Sequence, residues 1–202
     1  MPAAGFKTFM GDGFRPFFIA VDGRTGKDGN MKNRAQTIEN GNKNRTRRGY
    51  IRYITEAAVI AAMYAALTII IPGGSGQIQV RVAEALTVLP YFTPAAIPGL
   101  FAGCITSNIF VGAGMYDIIF GSLATLSAAF FTSKMPSKAL APLPPVIFNA
   151  VIVAFVLNAT INAPLFLTML TVGLGELVAC YGLGYPLILF LEKNREKIFR
   201  RQ

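Results

Sequence analysis

The sequence predicts an all-α integral membrane protein, a six-transmembrane-helix bundle behind a basic, disordered N-terminal tail. Three observations carry that prediction. Of the 202 residues 53% are hydrophobic and only 14% are charged, and the mean hydropathy is +0.49; a soluble domain of this length carries about a quarter charged residues. The net charge of +9 sits at the two ends: residues 1–53 hold eleven Lys/Arg and four acids, 192–202 hold five and two, and the long middle, 54–191, holds three and four. From Ile54 onward, apolar blocks alternate with Gly, Pro and Asn punctuation. Basic ends around a nearly uncharged centre describe a chain embedded in a lipid bilayer, so the positive charge is not read as a nucleic-acid footprint.

The elements follow in order. Residues 1–53 read as a basic, disordered cytoplasmic segment, a solvated topogenic tail in which the first thirty residues are an extension to a segment opening at Met31. The run FFIAV (17–21) is too short for the apolar core of a secretory signal. Gly26-Lys27 is followed by Asp28 instead of Ser or Thr, so no phosphate-binding loop forms there. The membrane domain covers 54–192. Its first span, ITEAAVIAAMYAALTIII (54–71), stops at Pro72. The second, Val80 to Tyr91, is short; the third is 95–111, the fourth Tyr116 to Thr132, the fifth Leu143 to Ala159. The sixth, Leu165 to Leu191, is the longest and contains Gly173, Gly175, Gly182, Gly184 and Pro186. A helix needs about 20 apolar residues to cross the hydrocarbon. With six spans and a cytoplasmic N-terminus, eighteen of the nineteen Lys/Arg fall inside and only Arg81 does not, which satisfies the positive-inside rule. Residues 193–202 then form a basic cytoplasmic tail.

Two features of the membrane domain point to function. The first span carries Ala57, Ala61 and Ala65 at four-residue spacing, with Ala58, Ala62 and Ala66 in a second row beside them. Small residues at this period let helices approach closely in lipid, either within the bundle or against a partner subunit. The second feature is a handful of polar groups in apolar surroundings, each costly at the bilayer centre and therefore a candidate site or buried pair. Arg81 and Glu84 are three apart on one face of the second span. Asp117 opens the fourth, Asn108 and Asn149 add amides, and Glu176 lies eleven residues into the sixth with no basic neighbour in sequence. Arg81 either pairs with Glu84 or Asp117 as structural glue or joins them in a binding site. Such a pocket, with the aromatics Tyr91, Phe92, Phe110, Tyr116 and Tyr181, suits a small, flat, hydrogen-bonding molecule. The Gly-rich GGSGQIQVR before the second span is a candidate lid or simply a loop.

Enzymatic chemistry is not expected. There is no His, and the two thiols, Cys104 and Cys180, stand apart in apolar stretches, so neither a nucleophile–base pair nor a metal cluster assembles. No cofactor is implied. A stand-alone secondary transporter of a small heterocyclic metabolite would show inverted repeats, and no halves of the chain resemble each other.

Four blocks, GQIQVRVAEALTVLPYFTPAAIPGLFAGCITSN, GMYDIIFGSLATL, LAPLPPVIFNAVIVAF and VGLGELVACYGLGYPL, resemble the QueT family, the substrate-binding (S) components of energy-coupling factor (ECF) transporters for queuosine precursors. The likeness covers about residues 46–192. It implies a six-helix bundle in the cell membrane, both termini cytoplasmic, holding a deazaguanine base toward its outer face. It implies as partners a coupling transmembrane protein and two cytoplasmic ATPases, the alanine rows being the docking motif, with toppling of the loaded bundle as the transport step. By residue type and depth, Glu84 or Glu176 would meet the ligand's amino-pyrimidinone edge or a cationic amine, Asn108 and Asn149 would add amide hydrogen bonds, and Arg81 would orient a carbonyl or carboxylate. An S component for a different vitamin-like ligand is the alternative within this reading.

Overall fold

A computed structural model describes residues 28–71 and 81–194, and among them the chain is helical with no strand. It divides into two units, Met1–Arg45 and Thr46–Gln202. The first helix, α1 (Asp28–Ile70), supplies the described residues of the first unit and enters the second at Thr46. The expected disorder of 1–53 is therefore corrected over 28–53, which is helix; residues 1–27 lie outside the described residues. The reason is local. From Asp28 to Tyr53 there is no proline, and Lys, Arg, Gln and Glu are good helix formers. Near the end of this polar stretch Arg52 Nε meets Glu56 Oε1 at 2.9 Å, an i,i+4 pair that supports the helix.

Within the second unit the remaining helices are α2 (Val82–Tyr91), α3 (Ala96–Phe110), α4 (Asp117–Thr132), α5 (Leu143–Ile161) and α6 (Leu165–Lys193). With α1 they overlap the six apolar blocks expected as spans. Three are long and apolar enough to cross a membrane: Gln36–Ile70 of α1, α5 and α6. α2, α3 and α4 are shorter, at ten, fifteen and sixteen residues; at 1.5 Å per residue α3 measures about 22 Å against about 30 Å of hydrocarbon. Large apolar side chains such as Phe110, Phe155, Phe166, Leu174 and Phe190 face outward, as a lipid-facing surface requires.

α2 explains its own shortness. It is a 3-10 helix with Pro90 inside it, and residues Ala83 to Val88 are all buried. It packs on α3, α4 and α6, so its irregular backbone is enclosed by protein, where such geometry is tolerated at membrane depth. Close approaches lock the neighbours together. A Cβ added at Gly184 of α6 would lie 3.3 Å from the Ala85 carbonyl of α2. On α3, a Cβ at Gly99 would lie 2.7 Å from the Ala57 carbonyl of α1, and one at Gly103 would lie 2.8 Å from that of Ala61. Gly99 and Gly103 thus form the groove into which Ala57, Ile60, Ala61 and Tyr64 of α1 settle, and Ala65 is buried. Ala58, Ala62 and Ala66 are exposed.

The turns are chemically specified. α3 ends at Gly112, whose φ of 69° needs glycine, with Ala113 N–H donating to Asn108 O at 2.9 Å. α5 ends at Asn162 in the left-handed region, φ 55°. Between α4 and α5, Lys138 Nζ meets Glu192 Oε2 of α6 at 2.8 Å, and that carboxylate holds the exposed ammonium above the usual lysine range.

Candidate functional site: a polar cavity in the bundle core

Buried polar side chains converge in the middle of the second unit. Glu84 is 1% exposed and Glu176 4%. α2 positions Glu84 on its buried face, and Tyr64 of α1, itself 1% exposed, donates its hydroxyl to Glu84 Oε1. Among the described residues, no hydrogen bond to Glu84 Oε2 is formed. α5 brings Asn149, whose Nδ2 donates to Glu176 Oε1 at 3.0 Å. One turn past Glu176, the Cys180 thiol donates to Glu176 Oε2 at 3.6 Å. These two carboxyl groups line one cavity together with Arg81, Asn149, Thr125, Gly121, Val153 and Val172. α2, α4, α5 and α6 all contribute to it.

The backbone departs from regular α geometry beside this cavity. α4 begins with a π segment, Asp117–Gly121, and α6 carries another, Val178–Gly184. Gly121 lines the cavity and Val178 follows Glu176 by two residues. Such widened turns are rare and concentrate at functional sites.

The cavity is closed down to about 10 Å³, room for about one water molecule. A second cavity, of about 150 Å³, is lined by Thr68, Ile71, Arg81, Val82, Ala83, Asn108 and Val111. Arg81 borders both. A ligand of heterocycle size therefore fits the second space as it stands and enters the first only if the bundle opens.

Of the six candidates, Arg81, Glu84, Asn149 and Glu176 meet around the inner cavity, and Asn108 lines the outer one beside Arg81. Asp117 lines neither; its backbone carbonyl accepts a weak 3.4 Å hydrogen bond from Asn108 Nδ2. The pairing of Arg81 with Glu84 or Asp117 is not among the ion pairs of the described residues, which join Arg52 to Glu56 and Lys138 to Glu192. The aromatic residues expected as stacking partners do not line either cavity. Tyr91 and Phe92 pack on the Val88, Ala141, Ile188 cluster, Phe110 and Tyr116 face outward, and the Tyr181 hydroxyl donates to the Ala139 carbonyl. The Gly-rich segment before α2 lies outside the described residues, apart from Arg81. Sequence reasoning missed Tyr64 and Thr125. The signal for Tyr64 was available: a phenol in an alanine-rich span has to find a partner for its hydroxyl.

Ionisable groups buried inside an apolar helical bundle are a candidate functional site. The model of the QueT transporter family matches residues 54–193. The chain belongs to the QueT transporter family. The match spans the helices from the first apolar residues of α1 to the end of α6, so every residue lining the cavities falls within it. Nothing among curated proteins or solved structures matches the chain. Membership makes it a membrane transport protein, consistent with the expectation that it is not an enzyme, and among the described residues no group of His, Cys, Asp and Glu is arranged to hold a metal ion.

Proposed function

We propose that this QueT protein is the substrate-capture component of an ATP-driven ECF importer and that its cargo is a deazaguanine base, a queuosine precursor. It sits in the cell membrane with six crossings and both termini cytoplasmic. The observation that carries the reading is the inner cavity: carboxyl, amide, hydroxyl and guanidinium groups gathered in the core of a bundle whose outer surface is apolar. Two carboxyls and an amide suit the alternating donors and acceptors of an amino-pyrimidinone edge, and Val153 and Val172 supply apolar surface for the ring face. Asp117 keeps a role only as a residue of the outer rim, through its backbone contact with Asn108.

The energy comes from partners: a coupling membrane protein and two cytoplasmic ATPases. Docking is assigned to the exposed row Ala58, Ala62, Ala66, because Ala57 and Ala61 already lie against α3 and Ala65 is buried. The loaded bundle topples to release its cargo on the cytoplasmic side.

The decisive experiment is calorimetric titration of the purified chain in lipid nanodiscs with a panel of purine and deazapurine bases, beside co-purification with ATPase subunits. Tight binding of deazaguanines and weak binding of purines supports the capture role. Transport by the chain alone in proteoliposomes would sink it.

A further inference from the structure

We infer that the cavity of about 150 Å³ is a first station for the cargo, reading the lactam edge of the ring before the inner cavity opens, with Arg81 shared between the two stations. This rests on the capture of a deazaguanine proposed above, and it names the order of the steps and the residues of the first one. Size sets the order. The inner cavity, at about 10 Å³, holds one water and no ring, whereas the outer one admits a heterocycle without any movement of the bundle. A ring that arrives while the inner cavity is closed rests in the outer one.

The outer cavity has the groups to read a carbonyl beside an N–H. Arg81 stands at the N-cap of α2 on extended backbone, and its guanidinium offers donors only. The two ion pairs of the described residues leave it out, so a ring carbonyl displaces no carboxylate from it. Thr68 of α1 gives its hydroxyl proton to the Tyr64 carbonyl at 2.9 Å. Asn108 of α3 gives its amide nitrogen to the Asp117 carbonyl at 3.4 Å and to Cys104 Sγ at 3.6 Å. Each therefore keeps an oxygen that accepts from a ring N–H or amino group, while Val82 and Val111 give apolar walls for the ring faces. The inner cavity has the opposite bias, with two carboxyls suited to the ring's donors. Because Arg81 borders both spaces, it holds the carbonyl while those donors pass from Thr68 and Asn108 to the carboxyls.

The test is surface plasmon resonance on the full chain in lipid nanodiscs with 7-deazaguanine as the probe, reading association and dissociation separately. Two stations in series make the observed association rate level off as the probe concentration rises, because the passage inward becomes limiting. Val111→Phe fills the outer cavity from a half-exposed position. It should slow association and dissociation alike, by about 10-fold each, with the final affinity unchanged. Thr68→Val removes one acceptor and should raise the concentration that half-saturates the association rate about fivefold, leaving the plateau as it was. A Val111→Phe protein with both rates of wild type, or a wild-type rate that stays proportional to concentration, overturns the outer cavity as a station and leaves the capture of a deazaguanine standing. Weaker affinity with faster dissociation in either variant makes the outer cavity the final seat and overturns the two-station order. Failure of the wild-type chain to bind the probe overturns the capture reading and the inference with it. Should Val111→Phe not fold, Thr68→Val decides on the same readings.

Discussion

Gly103→Ala places a methyl carbon 2.8 Å from the Ala61 carbonyl and 2.9 Å from the Tyr64 Cβ. Both neighbours are stiff, one a helix backbone and the other the root of a side chain, so the strain is relieved only by moving α1 off α3. Overpacking of this kind costs about 1–3 kcal/mol, which for a domain of this size lowers the melting temperature by about 3–10 °C. The displacement also draws the Tyr64 hydroxyl away from Glu84, so ligand affinity falls with stability. The control is Gly49→Ala in the same unit, where nothing lies within 4 Å of the added carbon. There, relief of glycine's backbone entropy in a helix should stabilise by about 0.5–1 kcal/mol. Thermal unfolding in detergent, followed by ligand titration, measures both. A Gly103→Ala protein that melts with wild type would refute the close approach of α1 and α3.

Other substitutions separate fold from function. Ala61→Leu should destabilise the bundle itself, whereas Ala62→Leu on the exposed row should leave melting unchanged and abolish co-purification with the coupling protein; intact assembly in Ala62→Leu would remove the docking role. Glu176→Gln should keep the fold and weaken deazaguanine binding by about 10- to 100-fold, since it removes one of the two carboxyl groups lining the inner cavity, and calorimetry reads the change directly. Tyr64→Phe leaves Glu84 Oε1 without its donor and should cost about 1–3 kcal/mol of stability, visible as a lowered melting temperature. Cys104 and Cys180, 1% and 0% exposed, should resist a membrane-impermeant maleimide in the folded protein and react with it after denaturation.

Much of the fold was legible because the bilayer imposes strong rules: apolar blocks became helices, and four of six candidate polar residues met around one cavity. The polar stretch 28–53 was misread because low hydropathy says nothing against a helix built from Lys, Arg, Gln and Glu. The alanine rows were ambiguous for a geometric reason. They lie one residue apart, about 100° around the same helix, and are identical in composition, so only a partner can tell them apart. That partner was in the sequence as Gly99 and Gly103, a glycine pair at the same four-residue spacing. The aromatics were misplaced because a ring serves equally well against lipid, in a core or over a ligand. The orphaned oxygen of Glu84 depends on which of its two oxygens Tyr64 reaches, a matter of three-dimensional placement that no spacing encodes.

The face that α1 turns inward is not alanine alone: Ile60 and Tyr64 sit in the core cluster, with Leu67 packed against it. Tyr64 also lies beside Gly103 with its hydroxyl on Glu84. Turning α1 by one residue position would lift Ile60 out of that cluster and carry the phenol away from the carboxyl at the heart of the bundle. The rotation that leaves Ala58, Ala62 and Ala66 on the outer surface is therefore the one that keeps Glu84 hydrogen-bonded to Tyr64.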